Sequence, residues 1–311
     1  GVDSGLNPAD GIFFAQYKGR PDSLVVYRSA AERSSNPERL NLDRRHLTCC
    51  PILKHEDRVR LLNYQNNYIE NIAQLHNLPN LIFLDLYNNC IEVMSSELGS
   101  VPTLRVLMLG KNRIRVIQNL DLLTKLDVLD LHSNLITKVE ALDSLTELRV
   151  LNLAGNQITK VEKITNLQSL TELNVRRNRI DQAGDLHLLP SLQRVFMSNN
   201  NVSEFSKVQT LFKIKFLMEL SLDGNIIASE DPVAYRRKLL DQVRSLRHLD
   251  LKRVTDQERR SAISESRRFE EIRKQHDAVA DSAEQKRRLT QERRAAIESA
   301  ERKWLEEKAA M

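Results

Sequence analysis

At 311 residues the chain is long enough for two domains, and 29% of it is Asp, Glu, Lys or Arg, with a formal net charge of +5. That mild, dispersed positive balance excludes a dedicated nucleic-acid binder, whose basic residues gather on one face. Three cysteines, two of them vicinal and none in a C-x-x-C pair, argue against a disulfide framework or a zinc site and suit a reducing, cytoplasmic compartment. No apolar run approaches the roughly 18 residues that cross a bilayer, so no membrane partner is expected. No signal peptide is legible, although the chain opens on Gly1 rather than Met.

Residues 1–38 carry Gly, Pro, Ser and Asp around two apolar islands, Ile12-Phe13-Phe14 and Leu24-Val25-Val26-Tyr27. A solvated coil has no need of such islands, so the segment is read as an extended N-terminal arm that docks on a neighbour or on the first repeat. Simple disorder is the competing reading. From Leu40 a repeat phase begins, with Leu40, Leu42, Leu47 and Leu53 in register and Arg45 where a later Asn belongs.

Residues 39–254 then repeat one sentence. Leu104-Arg105-Val106-Leu107-Met108-Leu109-Gly110-Lys111-Asn112-Arg113-Ile114 and Leu148-Arg149-Val150-Leu151-Asn152-Leu153-Ala154-Gly155-Asn156-Gln157-Ile158 both read L-x-x-L-x-L-x-x-N-x-I. The asparagines Asn67, Asn89, Asn112, Asn134, Asn156, Asn178, Asn200 and Asn225 stand 22, 23, 22, 22, 22, 22 and 25 residues apart. Eight in-register copies at such a period are the leucine-rich-repeat signature. Leu84 and Leu86 alternate with Phe83, Asp85 and Tyr87, as in a short strand with one buried face. Asn89 turns the chain, and its amide is placed to hydrogen-bond its own and the neighbouring coil. No copy buries its leucines alone, so the coils stack. The expected fold is an α/β repeat solenoid, a leucine-rich-repeat horseshoe with a parallel concave sheet. Phe212-Lys213-Ile214-Lys215-Phe216 supplies the extra residues of the 25-residue step as a bulge on the back. Ser229-Glu230-Asp231-Pro232 opens a helix over 233–246, and a strand through Leu246, Leu249 and Leu251 closes the solenoid as a helical C-terminal cap.

Residues 255–311 change grammar. From Asp256 onward there is no Gly or Pro, and Arg, Glu, Ala and Gln dominate. Pairs such as Glu270/Lys274, Glu284/Arg288 and Glu298/Arg302 stand four apart in the favourable order. One long projecting C-terminal helix is predicted. Its thin apolar stripe, Phe269, Ile272, Val279, Leu289, Ile297 and Trp304, meets a partner at intervals, and a solvated helix with frayed ends is the plainer alternative. A clean heptad is absent, so a stable two-stranded coiled coil is not expected.

No phosphate loop, H-E-x-x-H or G-x-S-x-G occurs, the seven histidines are scattered, and Gly110-Lys111-Asn112 is repeat grammar. Asp85 and Asp130 share a strand position two strands apart, which does not make a general acid/base pair. No catalytic residue, metal or cofactor is therefore expected. His132, beside its repeat Asn, is read as a solvated surface residue. Binding is the more informative direction. The strand position facing away from the leucines reads Leu61, Phe83, Val106, Val128 and Val150, then Glu172, Arg194 and Glu219. At roughly 4.8 Å per parallel strand the apolar part spans about 20 Å, enough for several turns of a partner helix. Beside it stand Met108 and Phe196, then Tyr87, His132 and Arg176. Either this column is an interaction groove or branched residues fill it because strands favour them. Arg176, Arg177 and Arg194 form a patch that suits an acidic peptide, or a solvated charge cluster.

The period and end cap are similar to the cytosolic repeats of protein phosphatase 1 regulators, axonemal dynein light chain 1 and a spliceosomal protein. The strings Arg39-Leu40-Asn41-Leu42-Asp43-Arg44-Arg45-His46-Leu47-Thr48, Leu126-Asp127-Val128-Leu129-Asp130-Leu131-His132-Ser133-Asn134 and Leu249-Asp250-Leu251-Lys252-Arg253-Val254-Thr255-Asp256-Gln257-Glu258-Arg259-Arg260 resemble the leucine-rich-repeat subunits of the tubulin polyglutamylase complex. The resemblance implies a non-catalytic scaffold in a multi-subunit complex whose separate ligase subunit glutamylates tubulin tails. It places such a scaffold in the cytoplasm and cytoskeleton, at the axoneme of cilia or at basal bodies. Tubulin, its acidic tails and the ligase subunit are the implied partners. A structural axonemal protein anchoring doublet or dynein-associated components is the alternative. A scaffold for an RNA-protein complex is disfavoured, and no nucleic acid is expected, because basic residues are not gathered with stacking aromatics.

Overall fold

The computed structural model describes residues 9–309. It divides into two compact units, residues 1–255 and 256–311, of which the described parts are taken separately. In the first, three-residue strands recur once per coil: β3 (Arg39–Asn41), β5 (Leu61–Asn63), β6 (Phe83–Asp85), β7 (Val106–Met108), β8 (Val128–Asp130), β9 (Val150–Asn152), β10 (Glu172–Asn174), β11 (Arg194–Phe196) and β12 (Glu219–Ser221). They pair in parallel in that order, and β13 (His248–Leu249) and β14 (Lys252–Arg253) complete an eleven-stranded sheet among the described residues. The register is direct, for example Val106 opposite Val128 and Leu107 opposite Leu129. Leu62, Leu84, Leu107, Leu129, Leu151, Leu173, Val195 and Leu220 therefore stack as one column, buried throughout. Each leucine is covered by the coil on either side, which is why no repeat is stable by itself.

The repeat asparagines hold the coils together from inside. Asn134 Nδ2 donates to Leu109 O, Leu131 O and His132 O, and its Oδ1 accepts from Ile114 N at 3.0 Å. The same pattern recurs at Asn89, Asn112, Asn156 and Asn178, each reaching its own strand and the preceding coil. The residue before the asparagine takes positive φ in every copy from Asn66 to Gly224. Gly and Asn serve there at low cost, and Lys111, Ser133 and Arg177 accept some strain so that the following amide points inward.

The ends depart from the expected plan. Instead of an extended arm, β1 (Ile12–Tyr17) and β2 (Arg20–Arg28) form an antiparallel hairpin, and β2 pairs in parallel with β4 (Ile52–Leu53). The two apolar islands are its strands, and Ile12, Val25 and Val26 are buried. Residues 1–8 of the expected arm lie outside the described residues. A short helix, α1 (Ala30–Ser35), capped by Ser29, returns the chain to β3. At the other end the α2 turn (Ile226–Ser229) precedes α3 (Pro232–Gln242), whose N-cap is Asp231 rather than Ser229. The Asp231 carboxylate accepts from Ala234 N at 3.0 Å, and Pro232 takes the first turn, where its missing N–H costs nothing. The extra residues of the long step belong to a 3-10 helix, Phe205–Lys213, which begins earlier than the predicted bulge. Leu251 is not a closing core residue. Asp250 and Leu251 both adopt positive φ as the two-residue turn between antiparallel β13 and β14, which leaves Leu251 68% exposed.

The second unit is a single helix, α4 (Asp256–Ala309). The last two residues of the expected span lie outside the described residues. No described helix is long and apolar enough to cross a membrane.

Candidate functional site

The sheet face opposite the leucine column carries the residues singled out in the sequence. Leu61, Phe83, Val106, Val128 and Val150 lie side by side in register on β5 to β9. Each is only half-buried, while its neighbour in the strand is enclosed. The column is apolar surface open to contact, not part of the core.

Beside it runs a polar seam with its own connections. Asp85 and Asp130 are 6% and 8% exposed, deeper than the flanking column. The Asp85 carboxylate accepts from Tyr87 N at 3.0 Å and from the Gln65 amide. Burial pushes its pKa up; those two hydrogen bonds oppose the rise, and the charges of Asp130 and Asp43 add to it. Asp130 Oδ1 accepts from His132 N at 2.9 Å and lies 2.6 Å from His132 Nδ1. His132 is thus half-buried and fixed, not solvated. Its ring stacks on Tyr87 with centroids 5.7 Å apart, and Lys111 Nζ lies 5.3 Å from the Tyr87 ring centroid.

Gly110 makes this possible. A Cβ at that position would fall 2.3 Å from the His132 ring, so only glycine leaves the slot that the imidazole crosses. Sequence reading treated Gly110-Lys111 as repeat grammar and missed this role. The available signal was a glycine in the column between Tyr87 and His132.

Toward the C-terminal strands the face becomes charged. Arg194 lies between Glu172 at 3.5 Å and Glu219 at 3.7 Å, all three in one register row. The Arg176 guanidinium carbon lies 4.2 Å from the Phe196 ring centroid, and Phe196 is buried beneath it. Arg177 is exposed at the strained position before Asn178. The three arginines therefore do not act as one free basic patch: Arg194 is bracketed by carboxylates and Arg176 is laid on an aromatic ring. The pairing residues Glu172 and Glu219 were visible in the same column of the sequence.

Among the described residues no group of three or more His, Cys, Asp and Glu side chains is placed to hold a metal ion. Cys50 is buried with its thiol pushed up to about 12 by desolvation, the setting of an inert core thiol. The stripe on α4, Phe269, Ile272, Val279, Leu289, Ile297 and Trp304, is between 52% and 69% exposed. Among the described residues, open apolar surface lies along the β5 to β9 column and along α4.

The family described as Leucine-rich repeat matches residues 129–279, and the one described as Leucine Rich repeats (2 copies) matches residues 102–144. Neither description names a catalytic activity. Human leucine-rich repeat-containing protein 49 is 46% identical over 81 residues, covering 26% of this chain. The aligned stretch is 11% of that relative's length. Among solved structures, an internalin of Listeria monocytogenes (InlF) superposes with a TM-score of 0.58 at 25% identity, over 70% of this chain and 61% of its own. Internalin C2 of the same bacterium gives 0.54 at 27% identity, over 62% and 80%. Repeat period, asparagine ladder and these matches agree on the fold: the chain is built as a leucine-rich-repeat solenoid.

Proposed function

We propose that the chain is a non-catalytic scaffold that seats a protein partner along Leu61, Phe83, Val106, Val128 and Val150, within a tubulin-modifying, polyglutamylase-type complex at cilia and microtubules. The observation that carries the docking part is the row of five apolar side chains, half-open and in register, beside buried carboxylates that cannot serve the core. A monomer that needed the row only for strand propensity would place polar β-formers there at no cost. The complex is suggested by the likeness of the first-coil and cap-to-helix strings to polyglutamylase subunits. Tubulin tails are acidic, and Arg177, exposed at the turn that follows β10, suits a supporting contact rather than a dominant one.

Affinity purification of the chain from ciliated cells, with mass spectrometry of what is retained, tests the setting. Stoichiometric recovery of a tubulin-glutamylating ligase subunit is the expected result. Recovery of doublet or dynein-associated components alone overturns the polyglutamylase assignment and favours a structural role in the axoneme.

A further inference from the structure

The helix α4 carries a charge arrangement that specifies what kind of surface meets it. Phe269, Ile297 and Trp304 fall on one seven-residue ladder whose intermediate rungs are His276, Ala283 and Thr290. Three residues on, Ile272 and Val279, then Lys286, Arg293, Ala300 and Glu307, occupy the companion ladder. The seam is apolar toward both ends, Glu307 excepted, and polar in the middle, so packing alone does not hold a partner along its whole length. The apolar members are more than half exposed, Ile272 at 52% and Trp304 at 57%.

Of the twelve positions flanking this seam seven are charged, and six of those are basic, Arg268, Arg273, Arg287, Arg294, Lys303 and Lys308, against the single acid Glu301. The acids sit farther round the helix. Glu270, Glu292 and Glu298 pair with Lys274, Arg288 and Arg294 at 3.4, 3.4 and 3.3 Å. Lys308 lies over the Trp304 ring at 4.4 Å, which keeps a cation at the edge of the seam. A second copy of this chain is a poor occupant in either orientation. In a parallel pair Arg268 faces Arg273 and Lys303 faces Lys308, and an antiparallel pair again sets basic flanks against basic flanks. Like charges at these positions select against self-pairing.

We infer that the exposed stripe of α4 is the docking site for one helix of a different protein, with an apolar seam and Glu or Asp on both flanks. Carboxylates of that helix meet Arg273, Arg287 and Arg294 and reach Lys286 and Arg293 in the middle of the seam. This shares with the scaffold reading only the premise that the chain holds protein partners, and it concerns a separate surface.

The test uses the full chain and a synthetic helix of about five heptads with a leucine seam, made once with Glu flanks and once with Lys flanks. Fluorescence anisotropy reads the binding, and sedimentation gives the stoichiometry. The expected result is one acidic peptide per chain, bound at least about tenfold more tightly than the basic one and weakened by added salt. Trp304→Ser with Ile297→Ser abolishes the binding, while Arg273→Glu, Arg287→Glu and Arg294→Glu together reverse the peptide preference. All these positions are exposed, so the variants keep the fold. The Val128→Asp/Val150→Asp variant binds the acidic peptide as the parent does, which separates this surface from the sheet face. Equal or absent binding of the two peptides overturns the inference. So does self-association of the chain that Trp304→Ser removes.

Discussion

Asn134 shows how much of this molecule rests on single side chains. Its amide satisfies Leu109 O, Leu131 O and the Ile114 N–H, and it adds a bond to His132 O, which already accepts from Lys111 N. Replacing it with Ala strands the first three groups in the interior. Asn134→Ala is therefore expected to lower the unfolding free energy by roughly 2–4 kcal/mol, read from urea titration of the parent and the variant. Asp85 acts in the opposite sense. Its folded-state pKa lies above the ordinary value because the carboxylate is desolvated. The proton is thus bound more tightly in the folded chain, and the stability this gives is present below about pH 4 and lost as pH rises through the folded value. Asp85→Asn should raise Tm at pH 7, with a difference from the parent that closes as the pH is taken below about 4. The asparagine ladder was legible because one residue type recurs at one period. The pairing of His132 with Asp130, the slot at Gly110 and the bracketing of Arg194 were not, because they depend on which neighbouring coils supply the opposite group.

At the scale of elements, the repeats were read correctly and the ends less well. Periodicity informs about a residue through its copies, and the caps have none. Arg28 and Glu56, distant in sequence and in no repeat position, form a fully buried ion pair. Arg28 Nη1 also donates to Asn36 O at 2.6 Å and Arg39 O at 2.9 Å, fixing β2 against α1 and β3. Nothing in the sequence pattern couples these residues. Arg28→Ala leaves Glu56 buried without its principal partner, and a loss of about 3–5 kcal/mol is expected, measured by denaturant unfolding. The joint replacement Arg28→Met with Glu56→Leu should recover much of it, because the desolvation cost leaves with the charges. The same logic explains the far end. Asp250 accepts from Leu222 N at 2.8 Å and from the Tyr235 hydroxyl at 2.9 Å, so the closing turn is anchored by a carboxylate instead of a buried leucine. Sequence alignment to the repeat placed Leu251 inside, and the reversal at Asp250-Leu251 turned it out.

For the whole molecule, the eleven-stranded sheet turns a weak local pattern into a long surface. A single half-exposed apolar residue is ordinary, whereas five in register across neighbouring strands make a continuous apolar strip with Asp85 and Asp130 along one side. On the proposed reading a partner helix with an apolar face and a cation toward Asp85 and Asp130 lies along that strip and stops at the charged rows that begin with Glu172 on β10. The most direct measurement is retention of co-purified partners by the Val128→Asp/Val150→Asp variant. Circular dichroism and Tm confirm its fold, and Leu129→Asp, which buries an unpaired charge and unfolds the central coils, serves as the opposite control. The account predicts a double variant that is folded, melts near the parent and has lost its sheet-face partner. A folded double variant that retains the same partners at the same stoichiometry contradicts it.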